Sequence, residues 1–124
     1  PLGPASSAAL ERVWTRLTEG GSAAAARLGT GDGRELLVPR TAKGVAFLHF
    51  DQLCRAERGA ADFAALARAF PTLLLDGVPR MTLAQRTEAR RFITLLDELY
   101  EHRVKLVCAA AAPPHQLFEG SGQA

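Results

Sequence analysis

The sequence predicts an α/β fold, a mostly parallel sheet with packed helices, and three observations predict it. A continuous apolar strand at Thr72–Asp76 is followed by a long amphipathic helix and then by a second apolar strand at Lys105–Ala110. A strand–helix–strand unit of this length is a crossover that lays two parallel strands in one sheet. Apolar runs without alternation are the pattern of strands covered on both faces.

The remaining elements follow in chain order. Pro1-Leu2-Gly3-Pro4 reads as extended or turned, because proline fixes its own φ and restricts its neighbour. Ser7 to about Leu17 reads as a helix, with Leu10, Val13, Trp14 and Leu17 at i, i+3, i+4 and i+7 on one stripe, ended by Glu19-Gly20-Gly21. Residues 22–33 are small and glycine-rich and read as a loop with a weak helical turn at Ala23–Arg27. Arg34–Pro39 and Val45–His49 read as short strands around a Lys43-Gly44 turn, which makes 34–49 an N-terminal hairpin.

Asp51 is expected to cap a short helix through Cys54. Ala60–Phe70 reads as a helix with Phe63, Leu66 and Phe70 on one face. Thr82 and Gln85 stand in capping-box spacing before a helix that runs to about His102. Its apolar side gathers Phe92, Ile93, Leu96, Leu99 and Tyr100, and its polar side Arg90, Thr94, Asp97 and Glu101. After the last strand, Pro113-Pro114 turns the chain into a short segment ending at Phe118. Residues 1–119 form a single α/β segment, and 120–124 a flexible tail.

Composition bounds the function. The chain has 124 residues, 48% hydrophobic and 23% charged, the balance of a folded, soluble domain with its own core. A net charge of +2 argues for neither nucleic acid nor an anionic membrane. Cys54 and Cys108 lack metal-type spacing and read as reduced, buried thiols of a cytoplasmic protein. No apolar run reaches the length of a membrane span. The chain opens at Pro1 without methionine, as a fragment of a longer protein would.

Few residues carry chemistry. Asp76 follows an apolar run, where an acid handling metal or water stands at the end of a parallel strand, but Gly77 occupies the place of the usual second acid. The plainer reading is a strand end and a turn. No GxxxxGK[ST] loop is present, so the amides and lysine that would hold phosphates are missing. His49, His102 and His115 are scattered, and no metal site is proposed. Gly33 permits a tight backbone entry to the first strand, and Arg34 reads as holding a carboxylate within the fold, the favoured structural role, or as touching a partner. Arg90 and Arg91 read either as a solvated face or as arginines reaching a phosphate or a neighbouring subunit, since a guanidinium fork binds phosphate and carboxylate bidentately. Asp97 would orient one of them.

With these residues in view, the chain resembles the C-terminal part of the ZapE-type cell-division ATPases and their mitochondrial Afg-one-like relatives. The strings that carry the likeness are GVAFLHFDQLC at 44–54, GAADFAALARAF at 59–70, LDGVP at 75–79, ARRFITLLDELYEHRVKL at 89–106 and CAAAAPPHQLF at 108–118. The resemblance implies a P-loop ATPase whose phosphate loop and metal-binding acids lie upstream, using ATP and magnesium in the full-length protein. It implies association with the FtsZ ring in bacteria, or protein quality control in mitochondria. The recurrent positions fall at Gly33, Arg34, Phe50, Leu53, Cys54, Asp62, Pro79, Arg90, Arg91, Phe92, Asp97 and Tyr100. The sequence departs at Phe63, where tyrosine is common, and at Ala109, where serine is common.

The expected role is therefore the C-terminal segment of such an ATPase, completing the nucleotide site or subunit interface. Arg90 and Arg91 are its candidate arginine finger, and Gly33, Arg34, Phe50, Cys54, Asp76, Pro79, Asp97 and Tyr100 its supporting residues. Partners would be the N-terminal ATPase half, FtsZ or other division or membrane-associated proteins, and further copies of the chain, with no nucleic acid and no membrane span. No cofactor and no ATP hydrolysis are expected of this chain alone. The alternative is a STAS-like regulatory interaction module, which the LLLDGVP–helix–VKLV pattern also resembles. Against it, Thr82 is the one hydroxyl in the PRMTLAQ stretch where such domains place a serine.

Overall fold

A computed structural model of the chain describes residues 6–112 and 116–118. The expectations for the opening Pro-Leu-Gly-Pro, the Pro113-Pro114 turn, His115 and the 120–124 tail fall outside these residues. The described chain runs α1 (Ser7–Thr18), β1 (Ala24–Gly29), β2 (Glu35–Ala42), β3 (Val45–His49), α2 (Phe50–Cys54), α3 (Ala60–Ala69), β4 (Thr72–Val78), a 3₁₀ turn (Leu83–Gln85), α4 (Arg86–Glu101) and β5 (Lys105–Ala110).

The strands form one mixed sheet in the order β1-β2-β3-β4-β5. β1–β2 and β2–β3 are antiparallel, whereas β3–β4 and β4–β5 are parallel. The α/β class stands, with parallel pairing confined to the C-terminal part, where helices make the crossovers. The expected hairpin is β2–β3. Its two-residue loop, Lys43 (φ 50°) and Gly44 (φ 79°), has the paired positive φ values that match strand twist.

One expectation is overturned upstream. Residues 24–29 are not a loop with a helical turn but the edge strand β1, paired Ala26↔Val38 and Leu28↔Leu36. The alanines favour helix locally. The free edge of β2 instead offers their backbone a ladder, and Ala26 and Leu28 pack half-buried against the main core. Tertiary pairing outweighs propensity here.

The two faces of the sheet are covered unequally. Leu73 and Leu75 of β4, and Ala46 and Leu48 of β3, point into a large core with α2, α3 and α4. The intervening Leu74, Val45 and Phe47 point the other way and meet Leu10 and Trp14 of α1. Strand alternation thus splits one apolar run between two layers. Each fully buried leucine contributes roughly 1.5–3 kcal/mol of transfer free energy. α1 starts at Ser6, whose hydroxyl accepts the Ala9 N–H at 3.0 Å. It stops where Glu19 (φ 55°) and Gly20 (φ 70°) turn left-handed. Thr18 rather than Leu17 is buried at its end, with its hydroxyl donating to the Trp14 carbonyl at 2.8 Å.

α4 also differs from its expected stripe. Its buried line is Phe92, Leu95 and Leu99. Ile93 is 49% and Tyr100 86% exposed, so Tyr100 supports no core. At 100° per residue, Ile93 and Tyr100 sit one step around the helix from Phe92 and Leu99, beyond reach of the sheet. The Thr82–Gln85 box closes the 3₁₀ turn, with Gln85 Oε1 accepting the Thr82 N–H at 2.8 Å, and α4 follows from it. No described helix is long and apolar enough to cross a membrane.

Candidate functional site

The parallel register sets His49 beside Asp76 at the carboxyl ends of β3 and β4, the edge of a parallel sheet where ligands collect. Asp76 does not end its strand, which continues to Val78. Its Oδ1 accepts the Ser7 hydroxyl at 2.8 Å and the Gly77 N–H at 2.9 Å. The carboxylate thereby ties the start of α1 to the sheet edge. It also lies between two open clefts. One, of about 340 Å³, is lined by Ser7, Asp76, Gly77, Pro79 and Ala109. The other, of about 250 Å³, is lined by Arg40, Phe47, His49, Gln52 and Asp76.

His49 is the residue that sequence reasoning missed. Asp51 does not cap α2; His49 does. Its Nδ1 accepts the Asp51 N–H at 3.1 Å, while Gln52 Oε1 accepts the His49 N–H at 2.8 Å. A ring nitrogen one residue before the helix reaches an N-terminal amide that the Asp51 side chain, inside the first turn, does not serve. In the neutral ring the proton then sits on Nε2. The imidazole lies over Gly77 (φ 75°), where any Cβ would collide with it. The Gly77 in place of a second acid is thus explained by a left-handed backbone under a histidine.

The two candidate arginines part company. Arg91 is half-buried and its Nη1 donates to the Cys54 carbonyl at 3.2 Å, tying α4 to the C-terminus of α2. Arg90 is exposed, beside an open cleft of about 360 Å³ lined by Arg86, Ala89, Ile93, Thr94 and Phe118. Among the described residues its guanidinium has no hydrogen-bond or ion-pair partner, and Asp97 pairs with neither arginine. Two turns of helix separate Asp97 from them, about 10 Å of rise.

Elsewhere the singled-out residues make contacts within the chain. Gly33 takes φ 80°, and Arg34 Nη2 donates to the Glu57 carbonyl at 2.9 Å, so it holds a backbone oxygen and no carboxylate. Phe50 is fully buried with its ring 5.8 Å from Phe92. Asp62, 4% exposed, accepts from the Gly59 N–H at 2.8 Å and from Arg58 at 3.1 Å. Arg40, unremarked in the sequence, stacks on Trp14 and Phe47 at 4.6 and 4.2 Å and pairs with Glu11 on α1. That hydrogen bond holds the Glu11 carboxyl below the usual range. Burial pushes the thiols of Cys54 and Cys108 up to about 12, and both are free.

These residues do not by themselves fit ATP and magnesium. No phosphate-cradling loop lies in the sequence. Among the described residues no three His, Cys, Asp or Glu side chains group as metal ligands, and the Asp76 carboxylate already serves α1.

Family comparison decides the class. The AFG1-like ATPase model matches residues 1–124, the whole chain. The chain belongs to the AFG1-like ATPase family. Lactation elevated protein 1 homolog B of Danio rerio is 38% identical over 87 residues, 70% of this chain and 17% of that protein. Cell division protein ZapE of Escherichia coli K12 is 46% identical over 71 residues, 57% of this chain and 19% of that protein. An uncharacterized Schizosaccharomyces pombe protein is 30% identical over 86 residues, 69% of this chain and 19% of that protein. The chain spans less than a fifth of these relatives' length. No solved structure matches it. Of the two positions where the resemblance implies another residue, Phe63 is fully buried, where a tyrosine hydroxyl would need a partner. Ala109 lines the cleft beside Asp76, where serine would add a hydroxyl.

Proposed function

We propose that the chain is the C-terminal segment of a cytoplasmic P-loop ATPase of the ZapE and Afg-one-like kind. It completes a subunit interface or nucleotide site formed with the rest of the protein, and ATP and magnesium act at a loop outside this chain. The family match over all 124 residues supports the ATPase class over a STAS-like module. The name of the bacterial relative, cell division protein ZapE, supports a setting in cell division, and FtsZ-ring or quality-control proteins are the partners that the family resemblance implies.

The observation that carries the interface role is the contrast between two adjacent arginines. Arg91 is engaged by the Cys54 carbonyl, whereas Arg90 projects beside an open cleft without a partner among the described residues. A guanidinium free in this segment is available to a carboxylate or phosphate supplied from outside it.

The test is ATP turnover and oligomerisation of the full-length protein with Arg90→Ala and Arg91→Ala, singly and together. Turnover lost with assembly intact assigns Arg90 to the phosphates. Turnover and assembly lost together assign it to the interface. If alanine at both positions changes neither, the role proposed for this face is wrong.

A further inference from the structure

The exposed face of α4 carries a charge order that its own helix disfavours. Arg86 and Arg90 stand four apart at the N-terminal end, and Asp97 and Glu101 four apart at the C-terminal end. Like charges at i and i+4 repel. At the helix ends, Arg86 in the first turn and Glu101 in the last oppose the helix dipole, whereas Glu88 in the first turn follows it. None of the four side chains has a hydrogen-bond or ion-pair partner among the described residues. Between the two charged ends sits Ile93, 49% exposed, with Thr94 beside it on the cleft. At 100° per residue, all six lie within about a third of the helix circumference.

The pattern is self-complementary. In an antiparallel helix turned about the midpoint of Ile93 and Thr94, Arg90 faces Asp97, Arg86 faces Glu101, and Ile93 faces Thr94, which sets the two isoleucines side by side at the centre. Opposed helix dipoles favour the same arrangement. We infer that this face of α4 packs antiparallel on α4 of a second copy of the chain, in an isologous two-fold contact. Each copy supplies both repelling pairs, and each pair becomes the partner of the other. A helix of 16 residues is about 24 Å long. One helix stripe covers much less than the roughly 800 Å² per partner of a standard stable interface. The contact is therefore a weak one, formed when the full-length protein brings copies together.

The inference deepens the interface reading above, and it is tested by cross-linking so that the two can fail separately. Full-length protein carrying Ile93→Cys, mildly oxidised, should give a disulfide-linked dimer that the unsubstituted parent lacks. Adding Arg90→Asp or Asp97→Arg should lower that dimer at least tenfold, because each reversal sets like charges opposite one another twice. Mixing the two reversed proteins should restore a mixed dimer to within about threefold of the unreversed level. In that mixed dimer the introduced aspartate of one copy meets the introduced arginine of the other, and the native Asp97 and Arg90 meet at the second contact. A docking face for some other surface, or a merely structural helix, gives no such rescue. Absence of the disulfide-linked dimer, or no recovery on mixing, overturns the pairing.

Discussion

Gly77→Ala should destabilise the chain through a neighbour as well as through its own backbone. A left-handed φ of 75° costs an L-residue about 1–2 kcal/mol. The new Cβ also drives the His49 imidazole from its place. That ring caps α2 by accepting the Asp51 N–H at 3.1 Å, and losing such a cap costs about 1 kcal/mol. The expected loss is therefore roughly 2–3 kcal/mol. His49→Ala alone should lose the cap, about 1 kcal/mol. The double variant should cost no more than Gly77→Ala alone, because the ring is already gone and the methyl enters empty space. Urea unfolding followed by Trp14 fluorescence measures all three. The cycle should show a coupling of about 1 kcal/mol. Strict additivity, or a Gly77→Ala loss near zero, would refute the argument that the histidine dictates this glycine.

Further outcomes follow from the same geometry. Leu95→Ala empties a fully buried position under α4 and should cost about 2–5 kcal/mol in the same urea titration. Arg91→Ala removes the tie to the Cys54 carbonyl and should cost about 1 kcal/mol, whereas Arg90→Ala, which relieves the repulsion from Arg86, should not lower stability. Cys54 and Cys108 should resist a thiol reagent at pH 8 until the chain unfolds. With both thiols held up to about 12 by burial, the unfolded state ionises first, so stability should fall as pH rises from about 9 towards 12. Glu11 is shifted the other way by Arg40. Its contribution is present above the unfolded value of 4.5 and is lost as pH falls through the lower folded value, which Trp14 fluorescence should report and Glu11→Gln should abolish.

The strand–helix–strand unit was legible because continuous apolar strands and a 3.6-residue stripe are local patterns. The hairpin was legible through Lys43-Gly44. β1 was not, because alanines carry no strand signal and its pairing depends on the edge of β2. The inward side of α4 was misjudged by one step at Ile93 and Tyr100, since five apolar residues define a stripe too wide to orient. At the sheet edge, Asp76 could be found from its place after an apolar run. His49 could not, because a histidine cap has no sequence signature and its neighbour Gly77 is 28 residues away. The division of labour between Arg90 and Arg91 depends on where the C-terminus of α2 falls in space, which spacing does not encode.

The most direct test of this account is nucleotide turnover by the chain itself, measured beside that of the full-length protein. Steady ATP hydrolysis is expected of the full-length protein, and neither saturable binding of ATP–magnesium nor ATP hydrolysis is expected of residues 1–124 alone. Turnover by the 124-residue chain alone would contradict it.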